Sequence, residues 1–140
     1  MNYQEALSKG TKILKSSNIK SFNLDSEILL ASSLKLDRTR LLLNLNNKIN
    51  KNQKQIFFNF INRRKENEPI AYILGFKEFW KNNFKINKSV LIPRPDTEIL
   101  VEQILKEIKK NETKQILDIG TGSGCIILSV LNERKNSFGY

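Results

Sequence analysis

An apolar run that ends in an acid and opens into glycines leaves a chain few ways to fold, and residues 116–125, ILDIGTGSGC, contain that arrangement. Ile116, Leu117 and Ile119 are apolar enough for a central parallel strand, and Asp118 stands near its carboxyl end, where α/β sheets bind ligands. Gly120, Gly122 and Gly124 allow positive φ and a close approach of the backbone to a ligand, with no Cβ in the way. From Cys125 to about Arg134 the apolar spacing is helical, so free N–H groups of a helix N-terminus face the same loop. Strand, loop and helix together predict the opening unit of an α/β domain.

Spacing separates the ligands that such loops hold. The dinucleotide pattern GxGxxG, read from Gly120, needs a small residue where Cys125 stands, and read from Gly122 it needs one where Ile127 stands. A P-loop needs Lys and Ser or Thr after its last glycine, but Gly124 is followed by Cys125 and Ile126. An acid followed by Gly-x-Gly-x-Gly fits the S-adenosylmethionine loop of Rossmann-like methyltransferases, and glycine loops of this kind also occur as plain strand–helix turns.

Composition removes several other chemistries. The chain has no histidine and one cysteine, so Ser-His catalysis, an internal disulfide and a Cys-rich metal cluster are excluded, and no metal site is expected. Cys125 reads as a small core residue. The net charge of +10 raises the question of an RNA partner. The lysines are scattered among asparagines, and no RNP-like, zinc-knuckle or KH-type signature accompanies them, so direct nucleic-acid binding is not expected. No apolar run approaches the roughly 18 residues that span a bilayer, and the N-terminus lacks the apolar core of a secretory signal. The reading is cytoplasmic.

Upstream of the loop the pattern divides. From Tyr3 to about Gly75 it is helical. Leu24, Ile28 and Ala31 recur at helical spacing, widened by Leu30 and Leu34, with Asn23 as the expected N-cap. Ile56, Phe57, Phe60 and Ile61 form another stripe, with Arg63, Arg64 and Lys65 at its polar end. DRTRLLLNLN adds a shorter helix, giving four in one small core over residues 1–72. At Pro69 the pattern turns extended, and Asn82 and Asn83 suggest the turn of a β-hairpin within residues 73–95, with Phe79 and Trp80 as its core anchors. Residues 96–140 then hold a helix from about Thr97 to Lys110, buried through Leu100, Val101, Ile104, Leu105 and Ile108. A strand over Lys114 to Ile119 and the glycine loop follow.

Four segments carry a resemblance. PIAYILG at 69–75, EFW at 78–80, LIPRPDTEILVE at 91–102 and ILDIGTGSGCI at 116–126 occur in the order and approximate spacing seen in the protein-(glutamine-N5) methyltransferases of peptide chain release factors, the HemK/PrmC family. DSEILLA at 25–31 and DRTRLLLN at 37–44 also resemble that family's release-factor-recognising domain.

The resemblance implies a helical recognition bundle, a β-hairpin connector and the first part of an α/β Rossmann-like class I methyltransferase domain. It implies S-adenosyl-L-methionine as donor, the glutamine of a Gly-Gly-Gln tripeptide as acceptor and release factors as partners. By position, Gly120, Thr121, Gly122, Ser123 and Gly124 match the cofactor loop, and Asp118 matches the acid near the cofactor's methionyl ammonium. Arg94, Pro95, Asp96, Thr97 and Glu98 match a segment bordering the active-site mouth. Each also has a structural role available, Pro95 opening a helix, Asp96 capping it and Glu98 favouring its positive end. The family's Asn-Pro-Pro-Tyr motif does not occur in this chain, and the ribose-binding acid is expected at or beyond Tyr140. The expectation is therefore a truncated N-terminal portion with no catalytic residue of its own, inactive by itself. The alternative is a non-catalytic helical module that binds protein or RNA.

Overall fold

The computed structural model describes residues 1–140 and divides them into two compact units, Met1–Leu74 and Gly75–Tyr140. The first is helical: α1 (Tyr3–Ser16), α2 (Phe22–Leu34), α3 (Arg38–Leu43), α4 (Lys51–Lys65) and a short α5 (Ile70–Leu74). α1 and α4 start alike. Asn2 and Asn50 accept the N–H groups of Glu5 and Gln53 at 2.8 Å, and those side chains accept the cap residues' own N–H groups in return. Such reciprocal caps stabilise a helix start by about 1 kcal/mol.

α2 is the central element, packed against α1, α3, α4 and α5. Its buried residues, among them Ser26, Leu29, Leu30, Ser33 and Leu34, therefore run round much of its circumference instead of forming one stripe. This corrects two expectations. Ser21, not Asn23, occupies the cap position, and Leu24 is 47% exposed. The inward place beside Leu24 is taken by Asp25, whose carboxylate accepts from Arg64 Nε at 2.7 Å and from the Ser21 hydroxyl at 2.8 Å. The α4 stripe is as expected, with Phe57 and Ile61 fully buried. α4 comes so close to α1 that a Cβ on Gly10 would stand 2.6 Å from the Phe57 ring.

PIAYILG is not extended as expected. Pro69 supplies the carbonyl that receives the Tyr72 and Ile73 N–H groups, and Arg63 donates to the carbonyls of Tyr72 and Ile73 at the other end. Two local caps thus hold a five-residue helix that propensity does not announce.

In the second unit, β1 (Phe76–Phe79) and β2 (Asn82–Lys85) form an antiparallel hairpin with Phe79 opposite Asn82. The turn residues are Trp80 and Lys81, with φ of 43° and 64°, and not Asn82 and Asn83, which belong to β2. Phe79 and Phe84 are buried with their rings edge-on at 6.1 Å, whereas Trp80 is only half-buried. A 3-10 turn at Pro95–Thr97 leads into α6 (Glu98–Glu107), which ends earlier than expected. Arg134 stops it by donating to the carbonyls of Leu105 and Ile108. Val101 is fully buried on this helix, but Leu100 is 49% exposed.

β3 (Gln115–Ile116), α7 (Cys125–Glu133) and β4 (Phe138–Gly139) complete the chain as a parallel βαβ unit. β4 is a strand the sequence reading lacks. Hydrogen bonds from Phe138 to Lys114, Tyr140 to Ile116 and Asp118 to Tyr140 carry the ladder past the strand ends. α7 lies directly on one face, where a Cβ on Gly139 would stand 2.7 to 2.9 Å from Leu131 and Ile127. Alternation puts Leu117, Phe138 and Tyr140 on the other face, and all three are exposed. The expected burial of the strand is therefore one-sided: Leu117 is 70% exposed and Ile119 is 87% exposed. Cys125 is buried, as expected.

Candidate functional site

The glycine loop joins the end of the β3 ladder to α7, and its three glycines have φ of 80°, 57° and 75°. Any residue with a Cβ is strained there. The Asp118 N–H is held by the Tyr140 carbonyl at 2.9 Å, which fixes where the chain leaves the ladder. The Asp118 carboxylate accepts from the Thr121 hydroxyl at 3.0 Å, and Gly124 N–H returns to the Thr121 carbonyl at 2.8 Å. Thr121 thus ties both ends of the loop together.

What the loop offers can be read from its missing side chains. A Cβ built on Gly120 meets nothing within 4 Å, and one on Gly122 meets only the Gly120 carbonyl at 3.9 Å. The loop therefore borders open space that a ligand can enter. Gly124 is the N-cap of α7 with no side-chain cap, so the first N–H groups of α7 remain available to an acceptor. A carboxylate, a row of backbone amides and a Cβ-free surface suit a small molecule with a cationic end and a polar, partly anionic end. The donor set fits the methionyl part of S-adenosylmethionine.

Arg94 to Glu98 divide differently. Arg94, Pro95 and Asp96 are exposed, and Pro95 is the first residue of the 3-10 turn, the place where its missing N–H costs nothing. Asp96 makes no cap hydrogen bond, contrary to the capping role considered for it. Glu98 Oε1 accepts the backbone N–H of Trp80 at 2.9 Å, fastening the hairpin turn to the start of α6. From α7, Glu133 Oε1 accepts from the Trp80 indole at 3.3 Å and from Lys81 Nζ at 2.9 Å. Lys81 holds the Glu133 carboxyl below its ordinary value, chiefly by that hydrogen bond and then by its charge, with the indole adding to both. Sequence reasoning missed Glu133, because nothing local marks a residue whose partners lie fifty positions away.

Relatives place these features in a family. Residues 5–75 match the profile described as the PrmC N-terminal domain. The chain is 45% identical over 130 residues to the release factor glutamine methyltransferase of Clostridium botulinum, a match covering 93% of this chain and 46% of that protein. It is 47% identical over 117 residues to the release factor glutamine methyltransferase of Coxiella burnetii, covering 84% and 42%. A bifunctional methyltransferase of Rickettsia felis is 36% identical over 161 residues, covering 96% of this chain and 31% of that protein. The chain spans about half the length of the curated relatives it matches. No helix is long and apolar enough to cross a membrane. On these grounds the chain belongs to the release factor glutamine methyltransferase family, and its helical unit carries that family's PrmC N-terminal domain.

Proposed function

We propose that this chain supplies the recognition domain and the methionine end of the cofactor site for methylation of the side-chain amide N5 of a release-factor glutamine. The observation that carries the reading is the loop: an acid and three glycines at positive φ, placed between a parallel strand and an uncapped helix start. When bound, S-adenosylmethionine supplies a methyl on a sulfonium, which needs an in-line nucleophile more than a strong base. Asp118 would face the cofactor's ammonium, with its carboxylate oriented by Thr121. Gly120, Gly122 and the N–H groups opening α7 would take the carboxylate end. Ser123 lies in the same loop, half-buried, and completes its course to the helix. The reading extends the βαβ unit into a Rossmann-like sheet.

In this reading the helical unit holds the release factor and the glycine loop holds part of the donor. The rest of the orienting machinery belongs to an Asn-Pro-Pro-Tyr segment that this chain does not contain. Orientation of two reactants can supply about 7–11 kcal/mol of a barrier, so the 140-residue chain alone should transfer methyl at the background rate. The test compares labelled methyl transfer to a release factor by this chain and by a fusion continuing into the C-terminal half of the Clostridium botulinum relative. Transfer by the fusion and not by the short chain is expected. A fusion that binds cofactor but never labels the glutamine would overturn the substrate assignment.

A further inference from the structure

We propose that Glu133 is a positioning residue for the glycine loop: it bonds the hairpin turn at Trp80 and Lys81 and so holds the far end of α7, the helix that carries the loop at its other end. The inference rests on the methyl-transfer reading and deepens it, because the place of the loop sets the place of the cofactor. α7 is one helix of nine residues, about 13 Å long, so a displacement at one end is passed to the other.

The two ends of α7 are held differently. At its close, three consecutive residues bond to other elements. Asn132 Nδ2 donates to Asn82 Oδ1 at 3.4 Å, and Glu133 accepts from the Trp80 indole at 3.3 Å and from Lys81 Nζ at 2.9 Å. Arg134 donates to the carbonyls of Ile108 and Leu105 at 2.6 and 2.5 Å. At its start, Gly124 has no side-chain cap, and the bonds from Thr121 to Asp118 and from Gly124 to Thr121 stay inside the loop. Packing of Ile127 and Leu131 at Gly139 fixes how near α7 lies to the sheet. The bonds at residues 132–134 fix how far it can turn or slide.

The hairpin turn is built for this attachment. Trp80 and Lys81 adopt φ of 43° and 64°, while Asn82 and Asn83, the residue type suited to such a turn, stand two positions later in β2. Strained backbone of this kind persists where its surroundings over-determine it. Here the Trp80 backbone N–H goes to Glu98 on α6 and its indole N–H to Glu133 on α7. The Lys81 ammonium, 5.7 Å from the centroid of the Trp80 ring, shares Glu133. Asparagines at these two places would suit the backbone but would supply neither the indole nor the ammonium.

The test uses the fusion described above, with S-adenosylmethionine affinity read by calorimetric titration and the release-factor KM by labelled methyl transfer. Every protein is held at a temperature where its circular dichroism melt shows it folded. Glu133→Ala should weaken cofactor binding about ten-fold and leave the release-factor KM within about two-fold. Glu133→Gln keeps an acceptor for the indole and should lose only about three-fold; it carries the comparison if the alanine variant melts too low. Phe84→Leu removes packing on Phe79 in the same unit and leaves each bond of the turn in place. It should lower the melting temperature yet change cofactor affinity by less than about two-fold, which a merely structural role for Glu133 would not produce. Cofactor affinity unchanged in both Glu133 variants, an equal loss in Phe84→Leu, or a release-factor KM that rises as much as the cofactor Kd would overturn the positioning role while the methyl-transfer reading stands. A wild-type fusion that binds no cofactor would overturn both.

Discussion

The Glu98 carboxylate holds the backbone N–H of Trp80 at 2.9 Å, so an acid in the PRPDTE segment fastens a β-turn eighteen residues earlier in the chain. The turn needs fastening. Trp80 and Lys81 both adopt positive φ, where a side chain costs about 1–2 kcal/mol per residue and where Asn and Gly are the usual occupants. Glu98 acts on the hairpin, and its position in the motif follows from that bond as much as from a place at a site mouth.

Glu98→Ala leaves the Trp80 N–H without its acceptor and should destabilise the Gly75–Tyr140 unit by about 1–2 kcal/mol. Glu98→Gln keeps an oxygen in place and should cost less than half of that. Trp80 is the only tryptophan, so its fluorescence in a urea titration reports this unit directly. Equal midpoints for the wild-type and Glu98→Ala chains would show that the hairpin turn holds without the carboxylate.

Glu133 gives the same attachment a pH dependence. Its folded carboxyl is lowered by the Lys81 hydrogen bond, so its contribution is present above the ordinary value of 4.5 and is lost as pH falls through the lower folded value. The Trp80-reported midpoint should fall on acidification below about pH 4.5 more steeply in wild type than in Glu133→Gln. Lys81 is well exposed, so added salt should shrink the difference. Parallel profiles for the two proteins would remove Glu133 from the acid response.

The close approach of α1 and α4 is testable at Gly10. A methyl there would stand 2.6 Å from Phe57 and 3.1 Å from Ile61 Cδ1, both fully buried. Alanine gains up to about 1 kcal/mol in helix propensity, but overpacking costs typically about 1–3 kcal/mol. Gly10→Ala should therefore lower the helical melting temperature, and Gly10→Ala/Phe57→Leu should recover part of the loss. A stabilised Gly10→Ala would mean that the two helices separate at little cost.

These contacts mark where the sequence is legible and where it is not. The α4 stripe of Phe57 and Ile61 and the strand–glycine–helix order of residues 116–125 can be read because each is a local pattern with one dominant cause. α2 misleads, since a helix surrounded by four others has no single stripe, and Leu24 gives way to an Asp25 that is acceptable inside only because Arg64 reaches it. α5 depends on Arg63 capping its last carbonyls, and β4 exists only by pairing with β3. In the site, the glycines announce themselves through backbone conformation. The partners of Glu98 and Glu133 do not, because a hydrogen bond across eighteen or fifty residues leaves no period behind.

Gly122 separates the loop's proposed ligand role from its structural one. Its φ of 57° disfavours any side chain, and a β-branched one most, but a Cβ there would meet only a carbonyl oxygen at 3.9 Å. Gly122→Val therefore acts mainly on the backbone and on the space beside it. Gly124→Val would also press on Leu128, at 3.1 Å from its Cβ, and so disturb α7 as well. In the fusion with the C-terminal half of the Clostridium botulinum relative, Gly122→Val should weaken S-adenosylmethionine binding by about ten-fold or more, since about 1.4 kcal/mol accounts for each factor of ten. The circular dichroism melt of the helical unit should not move, because its core closes within Met1–Leu74. Calorimetric titration of cofactor into both fusions decides the matter. Unchanged affinity in Gly122→Val would remove the loop from the cofactor site and leave it as a strand-to-helix connection alone.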